Sequence, residues 1–201
     1  MTNVPGPAPV WGLVLIGGQS TRMGQDKSGL VYHGLPQRDH LTVLLGPLCQ
    51  RVYWSVNEAQ NNTLSYPHLL PDRYPQQGPL GGLLTAFEAH PQVAWLLVPC
   101  DLPHLDAGTL RGLLAGRRAD SRNENDPNAP LVTAYWDAEK TGAEPLVSLW
   151  EPEAGPVLRA WFMAGNRSPR QFMVQHPTTR LVAPNYAVFE NVNTPPGSAL
   201  A

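Results

Sequence analysis

Short, continuously apolar runs alternate with longer polar or amphipathic stretches along this chain. Runs without a polar alternation are typical of strands that are buried on both faces of a sheet. On this basis strands are predicted at residues 11–16, 51–56, 68–70, 93–98, 131–136, 145–150 and 180–182. Helical spacing predicts helices at residues 41–48 and 151–164, one that residues 78–82 open and that runs through Ala89, and another that Asp106 caps and that runs through Leu114.

This order of elements predicts an α/β fold with a mostly parallel central sheet covered on both faces. In such sheets, ligands bind beyond the carboxyl ends of the strands. Gly17 and Asp101 each follow a predicted strand directly. We therefore expect both residues at the same edge of the sheet.

Composition narrows the class of protein. The 201 residues suit a single domain, residues 1–201, in which residues 1–9 form a loose, proline-rich leader. A net charge of −2 offers no general attraction for nucleic acid, and two cysteines give no disulfide framework. The chain shows no signal-peptide pattern and no apolar run long enough for a membrane helix, so we expect a soluble cytoplasmic protein without membrane contact.

Residues 15–27 read L-I-G-G-Q-S-T-R-M-G-Q-D-K directly after the first predicted strand. Glycine backbone can approach phosphate closely, and Arg22 and Lys27 can neutralise its charge. The glycine spacing matches neither a Walker A loop nor the G-x-G-x-x-G pattern of dinucleotide-binding folds. The loop is thus a different kind of polyphosphate loop, or a glycine-rich turn with two solvated cations.

Two aspartates follow later strands. Asp101 stands in P-C-D-L-P, where it either holds a divalent cation such as Mg²⁺ or caps a turn. Asp72 precedes the helix start at G-P-L-G-G, residues 78–82, whose backbone suits an anion or a base edge. Asp72 itself either serves Mg²⁺, a loop or a nucleotide group, or simply forms a turn.

Amide side chains supply the remaining polar groups of interest. Asn191 and Asn193 share one face if that segment is extended, and Asn57 follows the second predicted strand. Each of these three asparagines could equally belong to a turn. The chain shows no zinc-binding spacing and no G-x-S-x-G elbow, so nucleophilic catalysis has no visible residue.

Taken together, these motifs resemble the nucleotidyltransferases that make molybdenum cofactor dinucleotides (the MobA-like NTP transferase family), and most closely the molybdenum cofactor guanylyltransferases. The shared motifs are the loop of residues 15–27, D-x(5)-G-P-L-x-G from Asp72, P-C-D-x-P at residues 99–103, P-L-V-S-L at residues 145–149 and N-V-N-T-P at residues 191–195. The chain departs from the family at Ile16, where the family has alanine, and in its non-acidic tail after Thr194.

The resemblance implies a Rossmann-like, three-layer α/β nucleotidyltransferase fold that transfers GMP from GTP to the phosphate of molybdopterin and releases pyrophosphate. Arg22, Lys27 and Asp101 would be catalytic, with Asp101 binding the cofactor Mg²⁺. Asn191 and Asn193 would face the acceptor. The expected nucleotide-binding residues are Leu15, Gly17, Gly18, Arg22, Lys27, Asn57, Asp72, Gly78, Pro79, Leu80 and Asp101.

The expected partners are GTP and the molybdenum cofactor, with transient contact to cofactor-delivering or acceptor proteins. Two features favour guanylyl over cytidylyl transfer, namely the pair Gly17-Gly18 and the G-P-L-G-G turn. The alternatives are cytidylyl transfer to the same cofactor, transfer to a sugar or polyol phosphate, and a nucleotide-binding protein of this fold without turnover.

Overall fold

A computed structural model describes residues 7–17, 27–117 and 129–192 of the chain, with the backbone alone of Lys27. Within these ranges the strands are β1 (Val10–Leu15), β2 (Val52–Val56), β3 (Leu69–Pro71), β4 (Ala94–Pro99), β5 (Val132–Trp136), β6 (Ala143–Trp150) and β7 (Thr178–Leu181). The helices are α1 (Gln37–Leu45), α2 (Glu58–Thr63), α3 (Pro79–Ala89), α4 (Ala107–Gly116), α5 (Ala154–Met163) and α6 (Pro169–Gln175). In the ranges described, no helix combines the length and the apolar character needed to cross a membrane.

The strands of the described ranges form one mixed sheet in the order β3-β2-β1-β4-β6-β5-β7. β1 lies between β2 and β4 and is parallel to both. β6 runs antiparallel to β4 and to β5, whereas β5 and β7 are parallel. The predicted α/β fold with a mostly parallel sheet is confirmed, and β6 is the strand that reverses direction.

Both faces of the sheet are buried, as the continuously apolar strands predict. Successive residues of β1 point to opposite faces, so Leu13 packs in one core cluster and Val14 in the other. The first cluster takes its helical residues from α3, α5 and α6, and the second takes them from α1 and α4. The result is a three-layer arrangement of helices, sheet and helices.

Local capping explains where several helices begin. Asp106 caps α4 by accepting a hydrogen bond from the Thr109 backbone at 2.7 Å, as predicted. α3 begins at Pro79, and Gly78 before it has a φ of 67°, which favours glycine. α2 and α6 were not predicted; α2 begins with a capping box and α6 with Ser168 as its N-cap.

Other boundaries differ from the prediction. The helix predicted at residues 151–164 begins only at Ala154, because the backbone N–H of Glu151 still pairs with the Leu131 carbonyl, at 3.0 Å, in continuation of the sheet. The helix predicted at 41–48 spans Gln37–Leu45. The strand predicted at 145–150 begins two residues earlier, at Ala143.

The Arg117–Glu151 pair joins distant parts of the chain. Arg117 donates to both carboxylate oxygens of Glu151 at 3.0 Å, and the two side chains are only 8% and 5% exposed. Arg117 also donates to the Ala8 carbonyl at 2.8 Å, while the Pro9 carbonyl accepts from Ala94 at 2.9 Å. These contacts fasten the segment before β1 to the end of α4 and to the residue that follows β6.

We predict that Arg117→Ala lowers the free energy of unfolding by about 3 kcal/mol, because it removes the arginine that is paired with the buried Glu151 carboxylate. Urea denaturation measures this loss. Arg111→Ala, which removes an exposed arginine of α4, is the matched control and should change stability by about 0.5 kcal/mol or less. Equal stability of the two variants would contradict the importance assigned to this pair.

Candidate functional site

The polar residues singled out by sequence converge on one edge of the sheet. Gly17, Asn57, Asp72 and Asp101 come just after β1, β2, β3 and β4 respectively. These four strands are parallel, and Leu15 at the end of β1 is in register with Pro99 at the end of β4. The expectation that Gly17 and Asp101 lie at the same edge is therefore confirmed.

The described start of the glycine-rich loop is held tightly against β2. The backbone N–H groups of Ile16 and Gly17 both donate to the Ser55 carbonyl, at 3.2 and 2.9 Å. A Cβ at Gly17 would lie 3.2 Å from the backbone nitrogen of Asn57, so glycine permits this close approach. Leu15 and Ile16 are buried in the core. The glycine requirement here comes from the neighbouring strand as well as from any ligand.

Gly18, Arg22 and Asn193 lie outside the described residues, as does the side chain of Lys27. The backbone of Lys27 begins the 3₁₀ helix Lys27–Gly29, which is adjacent to α1. Ser28 within it is fully buried. The residues that follow the glycine-rich loop therefore pack next to α1.

Asn57 serves as the N-cap of α2. Its side-chain oxygen accepts from the Gln60 backbone at 2.9 Å, and the Gln60 side chain accepts from the Asn57 backbone at 3.1 Å. Gln60 also donates to the Ile16 carbonyl at 3.0 Å. Asn57 therefore organises the helix start that supports the first residues of the loop.

Asp72 and the first turn of α3 form one packed unit. The Asp72 carboxylate accepts from the Tyr74 backbone at 2.8 Å and from the Thr85 hydroxyl at 3.4 Å. A Cβ at Gly81 would lie 2.7 Å from the Tyr74 carbonyl oxygen, so a glycine is needed where these segments meet. The turn-forming role of Asp72 is the one that the contacts of the described residues show.

The turn G-P-L-G-G presents backbone rather than side chains at this place. Leu80 has no exposed area, so its side chain belongs to the core and only its backbone can meet a ligand. Gly78 is exposed, and a Cβ there would meet no atom within 4 Å, although its φ of 67° still favours glycine. Pro79 is half-buried at the first position of α3.

Asp101 is joined to the segment that contains Asn191. The Asp101 carbonyl accepts from the Val192 backbone at 2.9 Å, which places Asn191 beside the turn after β4. Burial raises the pKa of the Tyr32 hydroxyl, and the nearby Cys100 and Asp101 raise it further. The Tyr32 hydroxyl donates to the Val192 carbonyl at 3.4 Å. Tyr32, Asp101 and Val192 thus form one contact region.

Side chains that follow Lys27 also hold the turn after Asp101. Gln37 is fully buried and donates to the Leu102 carbonyl at 3.2 Å. The Nε2 atom of His33 lies 2.7 Å from the Pro103 carbonyl oxygen, which accepts its hydrogen bond. These bonds connect the exit of the glycine-rich loop to the turn that carries Asp101, so the two parts of the site cannot separate freely.

Glu144 is a residue of this edge that sequence reasoning missed. Because β6 is antiparallel to β4, the beginning of β6 lies at the edge where the parallel strands end. Burial raises the pKa of the Glu144 carboxyl, and Asp137 and Asp101 add to the increase. The available signal was the sequence A-E-P at a strand start, but the predicted strand began at residue 145.

Comparison with known proteins identifies the family. Residues 12–180 match the MobA-like NTP transferase domain. The chain belongs to the MobA-like NTP transferase family. It is therefore a nucleotidyltransferase, and both the resemblance and the enzyme class inferred from sequence are confirmed.

Relatives and solved structures support this placement in the MobA-like family. The chain is 32% identical over 193 residues to the molybdenum cofactor guanylyltransferase of Pseudomonas fluorescens SBW25, covering 94% of this chain and 92% of that protein. It is 31% identical to the molybdenum cofactor biosynthesis bifunctional protein of Synechocystis, but it spans only about half (52%) of that protein's length. The crystal structure of molybdopterin-guanine dinucleotide biosynthesis protein A from Archaeoglobus fulgidus has the same fold, with 18% identity, a TM-score of 0.71 and coverage of 92% and 93% of the two chains.

We predict that Gly81→Ala lowers the free energy of unfolding by about 1–3 kcal/mol, because its Cβ would press on the Tyr74 carbonyl. The variant should also raise the KM for the nucleotide, since the turn at Asp72 must shift. Gly46→Ala is the matched control, because Gly46 has helical angles and a Cβ there makes ordinary contacts. Thermal denaturation and steady-state kinetics check both variants. Identical behaviour of the two would show that the close packing at Gly81 has no consequence.

Proposed function

We propose that this MobA-like transferase moves GMP from GTP to the terminal phosphate of molybdopterin, in the biosynthesis of the molybdenum cofactor. The observation that carries the proposal is the 32% identity to a molybdenum cofactor guanylyltransferase over 92% of that protein's length. The relationship extends over the glycine-rich loop, the Asp72 turn and the Asp101 turn, all of which lie inside the matched residues 12–180. The proposal therefore rests on the whole nucleotide edge rather than on one motif.

The proposed reaction needs no covalent intermediate with the protein. An oxygen of the acceptor phosphate attacks the α-phosphorus of GTP, a new P–O–P bridge forms, and the bond to the β-phosphate oxygen breaks. Pyrophosphate leaves with the bonding electrons, so charge accumulates on the leaving group. The task of the enzyme is to orient two polyanions and to compensate their charge. This requirement agrees with a site built from glycines, cations and one carboxylate.

The proposed roles follow from the chemistry of each residue and from the resemblance of its motif to the family. Arg22 and Lys27 would neutralise the triphosphate in the transition state. Gly17 and the first turn of α3 would supply backbone close to the nucleotide, and Asn191 and Asn193 would face the acceptor. The Val192–Asp101 hydrogen bond at 2.9 Å supports this last role, because it sets the asparagine segment against the turn after β4.

We also propose Mg²⁺ as the cofactor, held by Asp101. In the described ranges no group of three or more His, Cys, Asp or Glu side chains could hold a metal ion, so a site made wholly of protein ligands is absent there. Mg²⁺ fits the alternative arrangement of one or two carboxylates completed by phosphate oxygens and water. When bound, the ion would neutralise and orient the triphosphate.

The experiment is a pyrophosphate-release assay with each of GTP, CTP, ATP and UTP in the presence of Mg²⁺, using as acceptor either molybdopterin or a sugar or polyol phosphate. GTP binding is measured in parallel by calorimetry. We expect release with GTP and little with the other nucleotides. Preference for CTP would replace guanylyl by cytidylyl transfer, and release only with a sugar or polyol phosphate would change the acceptor. Binding of GTP without pyrophosphate release would contradict the transferase function itself.

We predict that Lys27→Ala and Asp101→Ala each lower kcat/KM by about 100-fold, the scale of one lost transition-state contact. Arg111→Ala removes an exposed charge on α4 and should keep nearly the rate of the original protein. Circular dichroism and thermal denaturation verify that the variants are folded. Near-normal turnover in either site variant would remove that residue from its proposed role.

A further inference from the structure

A small cavity with an acidic lining lies beside the proposed active site. Its volume is about 300 Å³, and it is bounded by the β5–β6 hairpin and the 3₁₀ helix Tyr186–Phe189. We call it the acidic cavity and define it by Asp137, Glu144, Tyr186, Phe189 and Glu190. It combines carboxylates with two aromatic rings, which is a lining suited to a flat, donor-rich heterocycle rather than to a phosphate.

The acidic cavity is connected to the turn that carries Asp101. In the antiparallel register of β4 and β6, Leu97 faces Ser148. Asp101 comes four residues after Leu97 and Glu144 four residues before Ser148, so both lie towards the same edge of the sheet. On the other side of the cavity, Glu190 is followed by Asn191 and by Val192, whose backbone donates to the Asp101 carbonyl at 2.9 Å. Two independent segments therefore lead from the cavity to the reaction centre.

The order of the strands places the cavity on the acceptor side. The expected nucleotide residues Gly17, Asn57 and Asp72 follow β1, β2 and β3, which lie to one side of β4 in the sheet. Glu144 and Asp137 belong to β6 and to the end of β5, which lie to the other side of β4. Since Asp101 follows β4, it stands between the two. A ligand in the cavity would thus approach Asp101 from the side opposite to the nucleotide.

The carboxylates of the acidic cavity differ in the number of hydrogen bonds that they already accept. Asp137 is engaged by Arg170 at 2.6 Å and by the backbone and hydroxyl of Thr141 at 2.8 and 2.9 Å. Among the described residues, the hydrogen bond found for the Glu144 carboxylate is a single long one, 3.3 Å from the Leu146 backbone. The Glu144 carboxylate therefore keeps accepting capacity for a ligand.

The aromatic part of the lining comes from Tyr186 and Phe189. The Tyr186 hydroxyl itself has almost no accessible area, so a ligand in the cavity would meet the side of the ring. A flat ring that carries adjacent N–H donors would satisfy Glu144 and pack against these aromatic residues. The negative lining would at the same time repel the phosphate end of the same molecule.

We propose that the acidic cavity binds the pterin ring of the acceptor, and that Glu144 accepts hydrogen bonds from its ring N–H and its 2-amino group. This inference rests on the proposed function for the identity of the acceptor. A 2-amino-4-oxo ring presents two neighbouring donors, which a carboxylate can bind in bidentate fashion. Glu144 is thereby a specificity-determining residue that orients the acceptor. The phosphate of the acceptor then lies outside the acidic cavity and points towards Asp101.

Guanine carries the same pair of donors as pterin, a ring N–H and a neighbouring 2-amino group. The experiment must therefore distinguish binding of the pterin ring from binding of the guanine ring of GTP. The first arm measures direct binding by fluorescence with free pterin and with lumazine, which has a carbonyl in place of the 2-amino group. The original protein should bind pterin at least about tenfold more tightly than lumazine, the scale of a lost hydrogen bond to a charged group. Glu144→Gln should remove this preference, whereas Glu139→Gln, an exposed glutamate between β5 and β6, should keep it.

The second arm measures steady-state kinetics with molybdopterin and GTP varied separately. We expect Glu144→Gln to raise the KM for molybdopterin by about tenfold or more and to leave the KM for GTP within about twofold. An increase in the KM for GTP alone would show that Glu144 binds guanine instead of pterin, and would overturn the inference. Equal binding of pterin and lumazine by the original protein, or binding of neither, would also overturn it.

The two proposals can fail separately. If the protein releases no pyrophosphate with molybdopterin, the proposed function fails, while the comparison of pterin with lumazine still decides what the cavity binds. If transfer proceeds normally but Glu144→Gln behaves like Glu139→Gln in both arms, the proposed function stands and the assignment of the cavity fails. The thermal stability of Glu144→Gln confirms that it is folded, because glutamine has nearly the same shape.

Discussion

The parallel pairing of β1 with both β2 and β4 is the constraint on which the site depends. It brings Leu15 and Pro99 into register, so that the glycine-rich loop and the Asp101 turn leave the sheet at the same level. The pairing is stabilised by continuous burial of the strands on both faces, with Leu13, Val14 and Leu97 fully covered. A shift of register between β1 and β4 would separate the two segments and would also expose core residues on both faces.

The antiparallel direction of β6 determines which residues lie on the other side of Asp101. A parallel strand at this position would begin at the far edge of the sheet, and Glu144 would then stand away from Asp101. The antiparallel β6 instead places its first residues at the ligand edge. The edge is thereby divided at β4 into a side with the glycine-rich turns that follow β1 and β3, and a side lined by carboxylates and aromatic rings. This division matches the two chemically different ends of the substrates that the proposed reaction must join.

The strands, and the edge of the sheet at which the candidate residues lie, were predictable from sequence where the signal is local. Apolar runs located each strand within a few residues, and glycine and proline at residues 78 and 79 located the start of α3. The ends of parallel strands then placed Gly17 and Asp101 together without further information. The resemblance to nucleotidyltransferases was also correct, because several ordered motifs extend over most of the chain.

Features that depend on long-range pairing were not predictable in the same way. No local pattern distinguishes the direction of β6, so Glu144 was not recognised as a residue of the ligand edge. α2 buries none of its residues, so it has no hydrophobic periodicity, although the Asn57–Gln60 capping box could have revealed it. The buried carboxamide of Gln37 was missed because its contact to Leu102 joins residues far apart in the chain.

A crystal structure of the protein with Mg²⁺ and a non-hydrolysable GTP analogue tests whether Lys27 and Asp101 meet at one reaction centre. We expect the triphosphate to lie between the Lys27 ammonium and the Asp101 carboxylate, with the lysine within about 3 Å of a phosphate oxygen. A triphosphate bound elsewhere, or a bound nucleotide that leaves Lys27 and Asp101 on opposite sides of the molecule, would contradict this expectation.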